Sequence, residues 1–282
     1  MLFSVMHALD PTLPAAIVDG RSSAAMPVAA VHCEHCETCR LPGDARILLI
    51  PDRSNVAAQI RNRRYDRLAG AVVVGPSSQP LTLKIDGVAP VEIAINALDW
   101  ARLTTVSAAT LADRIIPAAD LGMRLDGLIA DDTGPPIDAV AVADAAADTV
   151  ADTLIARLAE AITRRPAHGL DMVDEPVVRG LMALIEDGTV FDAATAAERI
   201  GTTPHLLRRV ALRWFGFPPK TLLMRRRFLA ALAQFGASNM DFASVASLGY
   251  YDASHFLRDA NRFLGTTPRR YLRRIDAAAH RE

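Results

Sequence analysis

At 282 residues the chain is about twice the length of a common domain, which predicts two domains. It is 51% hydrophobic and 22% charged, which excludes a disordered chain. No run approaches eighteen apolar residues and the first thirty lack a basic start before an apolar run, so neither a membrane span nor a secretory signal is expected. The net charge of −1 conceals an asymmetry: residues 176–282 hold 16 Lys+Arg against 9 Asp+Glu, and residues 1–175 hold 15 against 23. A basic half joined to an acidic one predicts that only one half meets a polyanion. All three cysteines fall in one octet, which is no disulfide framework and points to a reducing cytoplasm.

The first thirty residues are Ala/Pro-rich and weakly patterned. From Arg46 to Leu98 the runs "RILLI", "NVAAQI", "GAVVVG", "LTLKID" and "VEIAINAL" alternate or are solidly apolar, with Gly, Pro and Asp between them. They predict a small antiparallel β-sheet or barrel. "SAATLADRII" (107–116) has helical spacing and predicts a short helix stopped by Pro117. "DDTGPP" (131–136) is a loop. Residues 138–164 predict a long helix whose stripe of Val150, Leu154, Leu158 and Ala161 either packs on the sheet or forms a homodimer seam. The N-terminal sensing domain is thus placed at 1–165, a linker at 166–173 and an all-helical domain at 174–282.

The helical domain is punctuated clearly. Asp192 caps "AATAAERI" before Gly201, and Thr203–Pro204 opens "HLLRRVALRWF" before Gly216. "PPKTLLMRRRFLAALAQF" runs to Gly236, Asp241 caps "FASVASL" before Gly249, and Asp252 caps "ASHFLRDANRFL" before Gly265. Two helix–turn–helix units joined by a helix of roughly 17 residues are expected, with double-stranded DNA as partner. The second helix of each unit carries candidate readers on its first turns, His205, Arg208 and Arg209, then Ser254, His255 and Arg258. Leu206, Val210, Val245, Phe256 and Leu257 are expected to hold the helices together, and Lys220, Arg269 and Arg270 stand at helix starts suited to phosphate.

"GYYDASHFLRDANRFLGTTPRRYLRR" (249–274) closely resembles the C-terminal signature of the AraC/XylS transcriptional regulators, and "FDAATAAERIGTTPHLLRRVALRWFGFPPKTLLMRRR" (191–227) looks like the preceding half of the same domain. The resemblance covers about residues 175–274. It implies a sequence-specific DNA-binding domain in a regulator that recruits RNA polymerase, with an N-terminal half that binds an effector or dimerises. Ala260 stands where the family usually has a core Phe, and Tyr251 where a small residue is common.

Three effector readings stay open in the N-terminal half. "HCEHCETC" (32–39) gathers Cys33, Cys36 and Cys39 with His32 and His35, ligands for zinc or copper(I), or thiols for a redox disulfide between Cys33 and Cys36. "RNRRYDR" (61–67) offers Arg61, Arg63, Arg64 and Arg67 to phosphate oxygens and Tyr65 to a base. Its Arg63-x-x-x-Arg67 resembles half of the cyclic di-GMP motif of PilZ domains. A hydrophobic small molecule inside the β-domain is the third. No Gly-rich phosphate loop, Ser-His-Asp set or paired carboxylates stand out, so the chain is expected not to be an enzyme. A DNA-repair methyltransferase joined to an AraC-like domain is the alternative, on the strength of the cysteines.

Overall fold

The computed structural model describes residues 32–123, 147–167 and 169–279, and the side chains of 32–35, 147–155 and 276–279 are outside that description. The architecture is α+β. Eight strands, β1 (His32–Arg40), β2 (Ala45–Ile50), β3 (Asn55–Ile60), β4 (Arg63–Leu68), β5 (Gly70–Val74), β6 (Leu81–Val88), β7 (Val91–Ile95) and β8 (Ile115–Pro117), form two antiparallel sheets. One runs β1-β6-β3-β4 and the other β7-β2-β5-β8. They face each other across Leu48, Ile50, Val72 and Val74 on one side and Val56, Ile60, Leu81, Leu83 and Ile85 on the other.

The two kinds of apolar run have different causes. β3 and β6 alternate because the outer face of their sheet meets water. β2 and β5 are solidly apolar because both faces of their sheet are covered: Leu48 and Val72 point into the sandwich, Ile47 and Val73 into a second core shared with the helices.

That second core is built by α1 (Ala97–Leu103), α2 (Ala147–Arg164), α3 (Asp174–Asp187), α4 (Ala193–Ile200) and α5 (Pro204–Val210), which continues as a wider turn through Phe215. The linking helix α6 (Pro219–Ala237), a tight 3₁₀ segment (Phe242–Leu248), α7 (Ala253–Leu264) and α8 (Pro268–Ala279) form a third core. Phe228 meets Phe256 and Phe263 there at ring distances of 5.7 and 5.6 Å, and Ala260 is fully buried beside them.

Three expectations are corrected and a fourth is met over the residues described. α1 falls where a strand was expected to continue; Asn96 caps it, its side chain accepting from the amides of Leu98 and Asp99. The helix expected over 107–116 is one 3₁₀ turn (Ala108–Leu111), after which Asp113 turns the backbone left-handed (φ 57°) and Ile115–Ile116 enter β8, as β-branched residues favour. α6 passes through Gly236 and ends at Ala237, with Asn239 and Met240 in the left-handed region. Of the long helix expected over 138–164, residues 147–164 are helical and 138–146 lie outside the described residues. Leu158 and Ile162 bury against the second core, and the side chains of Val150 and Leu154 are not among those described.

Candidate nucleic-acid interface

The capping residues read from the sequence set the helices of both units. Asp192 starts α4 by accepting from the amides of Ala194 and Thr195, and Gly201 closes it in the left-handed conformation (φ 74°). Thr203 then starts α5, its hydroxyl accepting from the Leu206 amide, with Pro204 in the first turn. In the second unit Asp241 accepts from the Ala243 amide, Gly249 closes the 3₁₀ segment, and Asp252 accepts from the His255 amide to start α7.

Aligning the two N-caps, Thr203 and Asp252, offsets the units by 49 residues. Over the eight positions that follow, Pro204–Ala211 and Ala253–Ala260, exposure runs identically: exposed, exposed, half-buried, buried, exposed, exposed, buried, buried. The outward residues are therefore His205, Arg208 and Arg209 on α5, and Ser254, Leu257 and Arg258 on α7. Leu257 differs from its expected role: it is 40% exposed and does not join the phenylalanine core, because the inward place beside it belongs to Phe256.

Several candidate readers carry a second duty. Arg209 donates to the carboxylate of Asp174, which is 1% exposed and also accepts 3.2 Å from the Trp214 indole. His255 meets the Tyr250 ring at 4.9 Å, tilted by 57°, and lies 3.2 Å from the Arg227 guanidinium. Arg227 also donates to Asp259 (3.0 Å), which accepts from the Tyr250 hydroxyl (2.8 Å). Burial pushes the Tyr250 phenol up and the Asp259 charge adds to it, so the hydroxyl stays a donor. Arg208 and Arg258 stay outward; the only partner of Arg258 among the described residues is the Ser254 carbonyl one turn back. Lys220 is exposed on the first turn of α6. Arg269 reaches the Met240 carbonyl at 3.2 Å, and Arg270 has its amide capped by Thr267.

Sequence reasoning passed over the run Arg225–Arg226–Arg227 on α6. Arg225 is buried and donates to the carbonyls of Gly43 (2.9 Å) and Ser77 (3.2 Å) and to Asp44 (2.8 Å), all in the β-domain. Arg226 donates to the carbonyls of Ile185 (3.0 Å) and Glu186 (3.3 Å) at the C-terminal end of α3, where a cation is favoured. Arg227 holds α7 through Asp259. Three neighbours thus tie three bodies to one helix.

The N-terminal candidates separate. β1 is extended, so Cys36 and Cys39 face opposite sides: Cys36, which is disulfide-bonded, packs on the sandwich core, and Cys39 is buried against α8 with the Tyr271 hydroxyl 3.7 Å from its sulfur. Burial pushes the Cys39 thiol up, away from metal or redox reactivity. Among the described residues no three His, Cys, Asp or Glu side chains gather as metal ligands, and the side chains of His32, Cys33 and His35 lie outside that description. "RNRRYDR" is a hairpin turn leading into edge strand β4. Arg61 pairs with Asp113 (3.2 Å), and the Tyr65 hydroxyl accepts from the Ile115 amide (3.0 Å), so that side chain is tied to the fold rather than free to stack on a base. Arg63, Arg64 and Arg67 remain exposed, charges that also protect a sheet edge from pairing.

A helix-turn-helix domain model matches residues 196–274, the span from α4 through most of α8. The C-terminal part of the chain is an AraC-type helix-turn-helix domain, the DNA-binding part of a transcription regulator. No curated protein sequence matches the chain significantly. Among solved structures, wild-type ToxT from Vibrio cholerae strain SCE256, bound to an unsaturated fatty acid, is similar at 13% identity and a TM-score of 0.46, over 89% of this chain and 96% of that one. ToxT from Vibrio cholerae O395 gives 9%, 0.40, 88% and 96%. An apo ToxT variant from strain SCE256 gives 11%, 0.44, 89% and 98%. Among the described residues no helix is long and apolar enough to cross a membrane.

Proposed function

We propose that the chain is a sequence-specific transcription regulator in which α5 and α7 enter successive major grooves on one face of DNA, under control of an effector acting on the N-terminal sandwich. The observation that supports this best is the repeated exposure pattern, which turns the same helix face outward in both units while their buried positions fill two separate cores. The 19-residue α6 is about 28 Å long, close to the ~34 Å repeat that two readers on one DNA face must span. His205, Arg208, Ser254 and Arg258 read base edges; Lys220 and Arg270 contact phosphate. Effector control is supported by the direct bonds from the β-domain to α6 through Arg225.

The test is selection of duplexes from a random pool by the full-length chain, followed by footprinting. Two protected half-sites about one helical turn apart are expected, with affinity that falls steeply as salt rises. Equal affinity for every sequence would overturn the reading. Adding an unsaturated fatty acid, the ligand in the ToxT structure, or cyclic di-GMP to the selected complex tests the effector class: the true class changes DNA affinity and the other leaves it unchanged.

A further inference from the structure

We infer that Leu257 reads the 5-methyl group of a thymine, so that the two units of the duplication recognise chemically different half-sites. The inference rests on the DNA-reading assignment of α5 and α7 made above. By the 49-residue offset Leu257 stands where the first unit has Arg208, and Arg258 stands where it has Arg209. The duplication therefore keeps the geometry of this outward position and exchanges a five-donor guanidinium for an apolar side chain with no hydrogen-bonding group.

Leu257 is well placed for such a role. Ser254 lies one turn before it and Asn261 one turn after, Arg258 is its neighbour, and all three are exposed, so it sits in the middle of the face offered to a groove. Among the described residues four large hydrophobic side chains are exposed, and two of these, Tyr251 (94%) and Leu257 (40%), belong to this unit. Tyr251 directly precedes the N-cap Asp252 and adds apolar area at the same end of the helix. In the major groove the thymine C5-methyl is the one projecting apolar group, the feature a leucine covers most favourably. Arg208, in the first unit, suits guanine O6 and N7 instead. The second half-site is accordingly thymine-containing at the position under Leu257, and the first is guanine-containing at the position under Arg208.

The test uses full-length protein and the duplex selected from the random pool, with each thymine replaced in turn by deoxyuridine, which deletes the methyl group alone. One position in the second half-site is expected to weaken binding about fourfold, the transfer value of one buried methyl. Leu257→Ala should bind the thymine duplex correspondingly less well and treat thymine and deoxyuridine alike there; Leu257→Gln, of similar size, should also lose the preference and Leu257→Met should keep it. Arg208→Ala should leave the preference intact. Wild-type protein indifferent to every deoxyuridine, or a preference undiminished in Leu257→Ala, overturns the inference while leaving the DNA-reading assignment standing. A pool from which no sequence is enriched overturns that assignment and this inference together.

Discussion

Arg208 and Arg209 are adjacent, chemically identical and both exposed on α5, yet they answer to different surroundings. Arg209 neutralises the buried carboxylate of Asp174, whereas no bond of the Arg208 guanidinium constrains it among the described residues. Arg208→Ala is expected to leave the melting temperature unchanged and to cost ~1–3 kcal/mol of discrimination at one base pair. Arg209→Ala is expected to lower stability by about 1–3 kcal/mol, since Asp174 keeps only the Trp214 indole; calorimetry and binding titrations separate the two. The same reasoning gives a pH dependence in the β-domain. Glu92 is deeply buried, which on its own would raise its pKa, but the guanidiniums of Arg40 (2.7 Å) and Arg46 (3.3 Å) outweigh that and hold it below its ordinary value of 4.5. A depressed folded value means that this stabilisation is complete above the unfolded value and is lost as pH falls through the folded one. Urea unfolding should therefore show stability falling below about pH 4.5, and Glu92→Gln should flatten that acid limb while lowering stability at neutral pH.

At the scale of elements, the helix ends of the C-terminal half were readable because their causes are local. A cap and the amides it satisfies are two or three residues apart, so Asp192, Thr203, Asp241 and Asp252 declare themselves in sequence. Asp252→Ala is expected to cost about 1 kcal/mol and to weaken the second half-site more than the first, as footprinting of the two half-sites would register. Where the sequence misled, the decisive partner was distant. "SAATLADRII" has helical spacing, but its two isoleucines pair with Val73 and Val74, some forty residues earlier, in an eighth strand. The cysteine octet resembles a ligand cluster only while its backbone is unknown; the extended strand sends Cys36 and Cys39, three apart, to opposite faces. Tyr65 suggested a stacking platform until its hydroxyl proved to be bound by the Ile115 amide, fifty positions on.

On the scale of the whole molecule, the β-domain brackets every part of the DNA-binding half. Gly216, left-handed at φ 79°, ends the turn that extends α5 so close to the sandwich that a Cβ would stand 2.9 Å from the Pro76 ring. Arg225 joins the sandwich to α6, the Gln79 side chain donates to the Arg262 carbonyl of α7, and Glu37 pairs with Arg274 of α8. Arg225→Ala leaves the Gly43 and Ser77 carbonyls without this donor, at an expected cost of about 1–3 kcal/mol. Scanning calorimetry should then resolve two transitions where the native chain gives one; a single unsplit transition would refute the bracket as the source of cooperativity. None of these bonds was legible beforehand, because their partners lie 148 to 237 residues apart and arginine-rich runs look alike whether they meet nucleic acid or carbonyl oxygens.

The consecutive arginines of α6 constrain how this protein can change its length. Neighbouring residues on a helix project about 100° apart, so three in a row sweep roughly 200° of its circumference, and that is how one tripeptide reaches the sandwich, the end of α3 and the flank of α7. One residue inserted ahead of Arg225 would turn all three by a third of a circle and hand each the wrong neighbour. A single alanine inserted between Thr221 and Met224 is thus expected to abolish cooperative unfolding, a defect that substituting any one residue in that turn by alanine would not reproduce. Insertions and deletions in this helix are filtered by rotational phase, and the spacing of the two proposed half-sites on DNA would inherit that filter.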